Sequence, residues 1–317
     1  MSDMAGGSST DALAAARPIS GTSGIQVDDA LSFSTNGIHK LSHGYSQHPM
    51  LSLGRLQRLA ESLYGAGQCR FMPASWTRSE PFVLDRESHD GRGIAQIFGE
   101  MEVAGSWIAI YNVEADPEYR RLLWDVMAGL THLLEPGEEV FDVRGFIFVS
   151  APPSLTPFHI DRENNFWLQV QGRKRMYVWS HMDREVVAAP DIEDFIVHRT
   201  LTRVLWRDSF RDRCIEFDCG PGDGVFFPST TPHMTQSEPD WVRPGDGVSV
   251  SIGVNFYTNH TRRAAHIHNL NRVLRKLHLV PRFPGESPLL DGLKYPVARG
   301  LFEYQKLFRG FKSPPGF

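Results

Sequence analysis

Cysteine is scarce in this chain: Cys69, Cys214 and Cys219 are all there is in 317 residues. An odd number with no CxxC spacing argues against a disulfide framework and against a structural zinc site. It points instead to a reduced, cytoplasmic compartment. Long apolar runs are missing as well, so no segment reaches the length of a membrane-spanning helix. The N-terminal stretch carries Asp3 and Asp11 and lacks the apolar centre of a secretory signal. Neither sign of charge dominates: 33 Lys and Arg against 37 Asp and Glu leave a net charge of -4. That balance supplies no overall drive toward nucleic acid or an anionic membrane. What is present is ordinary for a globular protein with a full core, 41% apolar and 22% charged residues.

The organisation changes along the chain. Residues 1–24 are small and polar and read as a disordered tail. Residues 25–139 read as a support region of helices and strands. In it, Ser52 stands as N-cap of a helix with Leu53, Leu56, Ala60 and Leu63 on one face. Residues 71–76 read as a short strand, 77–92 as a charged loop, and Ser106–Val113 as a strand. Asp116-Pro117 then opens a helix whose apolar face is Leu122, Leu123, Val126, Met127, Leu130 and Leu134. From residue 140 to 260 the period shortens. Arg144–Ser150, Thr156–Asp161, Phe166–Gln171, Arg175–Trp179, Arg213–Cys219, Gly224–Phe227 and Val248–Tyr257 read as strands. Pro221-Gly222-Asp223-Gly224 and Pro244-Gly245-Asp246-Gly247 are matching turns, and residues 181–212 are a charged, partly helical insertion. The pattern predicts a mainly β fold with flanking helices, its core a barrel or jelly roll. Residues 261–317 form a C-terminal helical region. One helix starts at Thr261 with Ala264, Ile267, Leu270, Leu274 and Leu277 inward, and a second carries Val297, Leu301, Tyr304 and Phe308.

Chemistry concentrates in Thr156-Pro157-Phe158-His159-Ile160-Asp161. Residues i and i+2 of a strand share a face, so His159 and Asp161 aim at one point while Phe158 and Ile160 aim away. Two histidines and a carboxylate make the facial triad of a non-haem iron site. An HxD triplet alone is weak evidence, since His181-Met182-Asp183 is another. His233, on a strand that returns after the Pro221 turn, fits the third ligand position. His260, His266 and His268 compete less well because their setting is helical. Lys174, at the start of a neighbouring strand, is suited to anchor a cosubstrate carboxylate. Thr156, Asn165 and Asn255 are polar residues in apolar strands and need partners, a cosubstrate or a backbone group.

The run TPFHIDRENNFWLQVQGRKRMYVW, with the later GDGVFFPSTTPH and VSIGVNFY, resembles the Jumonji C (JmjC) or cupin-like Fe(II)/2-oxoglutarate oxygenases. It is most similar to the branch containing the asparaginyl hydroxylase of hypoxia-inducible factor. The likeness covers roughly residues 100–258. It implies a double-stranded β-helix in which His159, Asp161 and His233 hold Fe(II). Lys174 and Thr156 would bind the far carboxylate of 2-oxoglutarate, and Asn165 and Asn255 would line its pocket. Tyr111, on the early strand, is a further candidate contact. The implied reaction uses O2 and couples oxidation of a protein side chain or small molecule to formation of succinate. Thr230, Thr231 and Pro232 depart from the aromatic residues that often precede the distal histidine in relatives. A non-catalytic cupin that binds a ligand or partner, and a cupin holding zinc or manganese, are the alternative readings. The expected partners are an unidentified protein or small-molecule substrate and, through the C-terminal helices, a second copy of the chain.

Overall fold

Twelve strands form among the described residues: β1 (Ile25–Val27), β2 (His39–His43), β3 (Cys69–Phe71), β4 (Trp107–Tyr111), β5 (Val140–Ser150), β6 (Ser154–His159), β7 (Asn164–Gln171), β8 (Lys174–Val178), β9 (Ile215–Cys219), β10 (Asp223–Phe227), β11 (His233–Ser237) and β12 (Ser249–Thr258). The computed structural model describes residues 24–28, 32–71, 92–101, 107–238, 247–308, 310–312 and 314–317. The expected disordered tail, the 77–91 loop, most of the 71–76 strand and the Pro244 turn therefore lie outside the described residues. All strand pairings are antiparallel. One sheet has the order β1-β2-β10-β7-β12-β5-β4-β3 and the other β6-β11-β8-β9. From β5 onward the chain passes back and forth between them. β5, β7, β10 and β12 fall in the large sheet, and β6, β8, β9 and β11 in the small one. This winding is a jelly roll, one of the two folds the turn-punctuated run allowed, and the double-stranded β-helix that the resemblance implied.

The two faces of the large sheet do different work. In β12 all ten residues are buried. Ile252, Val254 and Phe256 join the main apolar core, whereas Ser251 and Asn255 face the space between the sheets. β5 alternates in the same way, with Ile147 and Val149 in the core and Phe146 and Phe148 toward the interior. Three helices, α1 (Leu53–Tyr64), α2 (Ile94–Gly99) and α3 (Pro117–Ala128), cover the core side. The α3 start follows its sequence: the Asp116 carboxylate accepts from the amides of Glu118 (2.8 Å) and Tyr119 (3.3 Å), and Pro117 needs no partner for a missing N–H. Gly145 lets α3 approach. A Cβ there would lie 2.4 Å from Val113 Cγ2 and 2.8 Å from Leu123 Cδ1. At α1, Ser52 holds the N-cap position, but its hydroxyl donates to the Pro49 carbonyl instead of capping.

Several expectations need correction. Of the strand placed at 71–76 only Phe71 is described, and it ends β3, which begins earlier, at Cys69. The strand placed at Arg213 starts at Ile215, because Asp208–Arg213 coil into a 3-10 helix. β1 and β2 were not legible in their polar sequence, and they extend the large sheet beyond β10. The insertion forms α4 (Ala189–His198). The next helix, α5 (Asn259–Lys276), is capped by Thr258 and not by Thr261. Thr261 sits at the third position, where its hydroxyl accepts from the Thr258 amide and its amide donates back to the Thr258 hydroxyl. The last helix, α6 (Pro288–Phe308), turns inward with Asp291, Ala298 and Phe302. Val297, Tyr304 and Phe308, expected to face the barrel or a second copy of the chain, are 60%, 49% and 74% exposed and so do not face the barrel. Both flanks of this helix are apolar, and the edge-to-face contact of Phe302 with His266 (4.7 Å) and its stacking on Phe317 (5.2 Å) select the inner one.

Leu123 is fully buried between α3 and the large sheet. Leu123→Ala should lower unfolding free energy by about 2–5 kcal/mol in denaturant titrations, as large-to-small core changes do.

Candidate functional site

β6 and β11 pair so that His159 stands opposite His233, with ring centroids 4.1 Å apart. Asp161 follows just past the end of β6, and its Oδ2 is 3.5 Å from His233 Nε2. One donor atom from each of the three side chains lies within 4.8 Å of the others, the one such cluster among the described residues. The ladder between the two strands is irregular. His233 pairs with His159 and Thr235 with Thr156, so three steps on β6 match two on β11. Pro157 occupies the extra step, where a residue without an N–H costs the ladder nothing. In a regular strand residues three apart face opposite ways. This bulge brings both Thr156 and His159 into the same interior.

The histidines are oriented alike. His159 Nδ1 lies 2.7 Å from the Pro157 carbonyl and His233 Nδ1 lies 2.9 Å from the Thr231 carbonyl. A carbonyl only accepts, so each Nδ1 carries the proton and each Nε2 keeps its lone pair for a metal. Burial holds His233 well below the usual histidine range, with His159 adding to the effect, so it stays neutral. Burial also raises the Asp161 carboxyl, opposed by His159. A cation among these donors would offset that burial cost. Two imidazole nitrogens and one carboxylate suit iron(II), the donor set of the facial triad.

The cluster opens into a cavity of about 270 Å³ between the sheets. Thr156, Asn165, Lys174 and Asn255 all line it, and so does Tyr111. Lys174 is only 2% exposed, and burial alone pushes its ammonium down to about 8. No carboxylate pairs with it among the described residues. Asn165 and Asn255 face each other across β7 and β12. Their Oδ1 atoms, and the Ser251 hydroxyl, are buried without hydrogen-bond partners. These orphaned groups beside an uncompensated lysine fit an anionic, oxygen-rich cosubstrate.

Other histidines are used elsewhere. In the second HxD triplet, His181 lines a separate cavity beside the C-terminal helices, and Asp183 is paired to Arg213 at 2.8 Å. His266 and His268 pack on Phe302 and Phe283. Trp167 is buried with one side on the cavity, whereas Trp206 packs on Trp179 and Phe158 behind the small sheet. Trp241 lies outside the described residues. Sequence reasoning missed the rest of the lining. Phe146 and Phe148 were detectable, because they alternate with Gly145, Ile147 and Val149. Arg70, Arg144, Arg162 and Arg199 carried no signal, since they come from four separate segments.

Lys174 has a testable cost. Its charged form is penalised below about pH 8, and the penalty fades as pH rises from there toward the unfolded value of 10.5. Lys174→Met should therefore stabilise the protein at pH 7, by about 3 kcal/mol from the size of the shift. The gain should shrink in denaturant titrations run between pH 8 and 10.5.

No protein-family model and no curated protein matches the chain. Solved structures do. An X-ray structure of E. coli ycfD is 18% identical, with a TM-score of 0.40, covering 80% of this chain and 61% of that one. The structure of YcfD, a ribosomal oxygenase from Escherichia coli, with cobalt and 2-oxoglutarate is 17% identical, with a TM-score of 0.38 over 80% of this chain and 60% of that one. The non-heme alpha ketoglutarate dependent carbocyclase SnoK from nogalamycin biosynthesis is 18% identical, with a TM-score of 0.44 over 72% and 85%. This chain thus spans less than two thirds of the ribosomal oxygenase it is similar to.

Proposed function

We propose that this protein is an iron(II)- and 2-oxoglutarate-dependent oxygenase, a hydroxylase of a protein side chain or small molecule. The observation that carries the reading is Lys174, buried without a counter-ion in the same cavity as the His159, Asp161 and His233 cluster. A structural lysine would have a carboxylate beside it; a lysine waiting for a ligand carboxylate would not. Iron(II), 2-oxoglutarate and O2 held together would supply an oxidant for a C–H bond while 2-oxoglutarate becomes succinate. The chain's own part is binding and orientation. His159 and His233 present Nε2 because their Nδ1 protons are held by Pro157 and Thr231. Lys174 and Thr156 receive the far carboxylate, with Tyr111 as a further donor, its phenol kept protonated by burial. Asn165 and Asn255 complete the polar lining, and Phe146 and Phe148 keep water from the opposite wall.

Anaerobic addition of iron(II) and 2-oxoglutarate should give a visible charge-transfer band that is absent in His159→Ala. A wild-type protein without the band would refute the reading. Tight binding of both without succinate from any substrate would favour a non-catalytic binding protein, and zinc or manganese in oxygen-free preparations would favour another cupin chemistry.

A second copy of the chain is proposed as partner through α6. Leu289, Leu293, Val297, Tyr304, Leu307 and Phe308 form an exposed apolar stripe, half of the large apolar side chains that stand exposed among the described residues. A two-fold axis needs only that a stripe complement itself. Light scattering on the full chain should give twice the monomer mass, and Leu293→Glu should return it to the monomer mass.

A further inference from the structure

The cavity holds more positive charge than the proposed metal and cosubstrate account for. Arg70, Arg144, Arg162, Arg199 and Lys174 line it, against only two carboxylates, Asp161 and Glu163. Both carboxylates are engaged. Asp161 belongs to the histidine cluster, and Glu163 accepts from the Tyr257 hydroxyl. Arg144 is held bidentately by Asp142, with its Nε at 3.1 Å from Oδ1 and its Nη2 at 2.9 Å from Oδ2. No ion pair among the described residues includes Arg70, Arg162 or Arg199. Arg162 is 5% exposed and has the Phe317 ring 5.6 Å from its guanidinium, yet its Nε and Nη1 have no hydrogen-bond partner; Arg70 Nε has none either, its guanidinium lying 4.2 Å over one face of Tyr111. A buried guanidinium in that state is costly unless an anion completes it.

Part of the wall is apolar. Tyr111, Phe146 and Phe148 form an edge-to-face aromatic set on the large sheet, with centroids 4.9 Å and 6.3 Å from Tyr111. Phe195 and Leu201, from α4 and the turn after it, close the other side next to Arg199. This assigns the 181–212 insertion a place at the cavity.

Resting on the oxygenase reading for the identity of the site, we infer that the substrate is an anionic small molecule with an apolar body. Its acid group is held by Arg162 and Arg199, and its body lies along Tyr111, Phe146 and Phe148. Arginine suits this task because its planar fork binds a carboxylate or phosphate through two parallel hydrogen bonds.

The test uses the full chain and three probes: 4-phenylbutyrate, its neutral amide 4-phenylbutyramide, and phenyl phosphate, each followed by calorimetry and thermal shift. At least one acid should bind roughly tenfold or more tightly than the amide, and Arg199→Gln and Arg162→Gln should each erase most of that advantage. Arg199 is exposed, so its variant keeps the test valid should the buried Arg162 variant fold poorly. Whichever acid binds more tightly names the acid class. Equal binding of acid and amide, no binding of either acid, or an acid affinity that falls with Lys174→Met and not with the arginine variants would overturn the inference. A separate titration with 2-oxoglutarate tells the two readings apart. If 2-oxoglutarate fails to bind while the arginine-dependent acid site persists, the oxygenase reading falls and the anion site stands.

Discussion

The ladder between β6 and β11 is the contact on which the rest depends. It sets His159 against His233, and a slip of one residue would turn every side chain of one strand away from the interior. The extra step at Pro157 is what makes the arrangement work. It leaves the Pro157 carbonyl free to hold the His159 ring, and it brings Thr156 onto the cavity side. A single local irregularity therefore serves the His159, Asp161 and His233 cluster and the proposed cosubstrate pocket together. Bulges beside active sites commonly re-aim side chains in this manner.

Around that ladder the protein spends stability on polarity. Lys174, Arg162, Asn165, Asn255 and Ser251 are all buried, and in each case desolvation is incompletely compensated by protein partners. The surrounding structure tolerates them because the large sheet is packed hard on its other side. Phe166, Phe226 and Phe256 cluster there with centroids between 4.7 and 6.5 Å, under helices whose apolar faces are continuous. One face of the sheet supplies cohesion, and the other is kept polar and poised for ligand.

Much of this was legible in the sequence. Strand residues announce themselves by period, but Asp161 lies beyond the strand expected at Thr156–Asp161, since β6 stops at His159, and it reaches the His233 side chain from the turn that follows. The sequence singled out His159, Asp161, Lys174 and Asn255, which the structure brings to one cavity, and its turns pointed to a barrel or jelly roll. What was not legible depended on distant choices. Thr258 takes the cap of α5 because β12 runs into the helix without a turn, so the expected start at Thr261 was late by one capping box. The inward side of α6 is chosen by His266 and Phe317, which its own periodicity cannot reveal. The arginines come from β3, β5, the loop after β6 and the end of α4, and only folding places them around one space.

The bridge between α4 and α5 has a consequence for how much of the chain the cavity needs. Arg275 clasps Glu193, which is fully buried, and Arg272 reaches Asp194 at 2.7 Å. α4 carries Phe195, and Arg199 caps its end, so the C-terminal helices hold one wall of the cavity in place. The barrel strands by themselves would be a vessel with an open side. The tail of the chain, remote from the metal ligands in sequence, works as a buttress for the chamber.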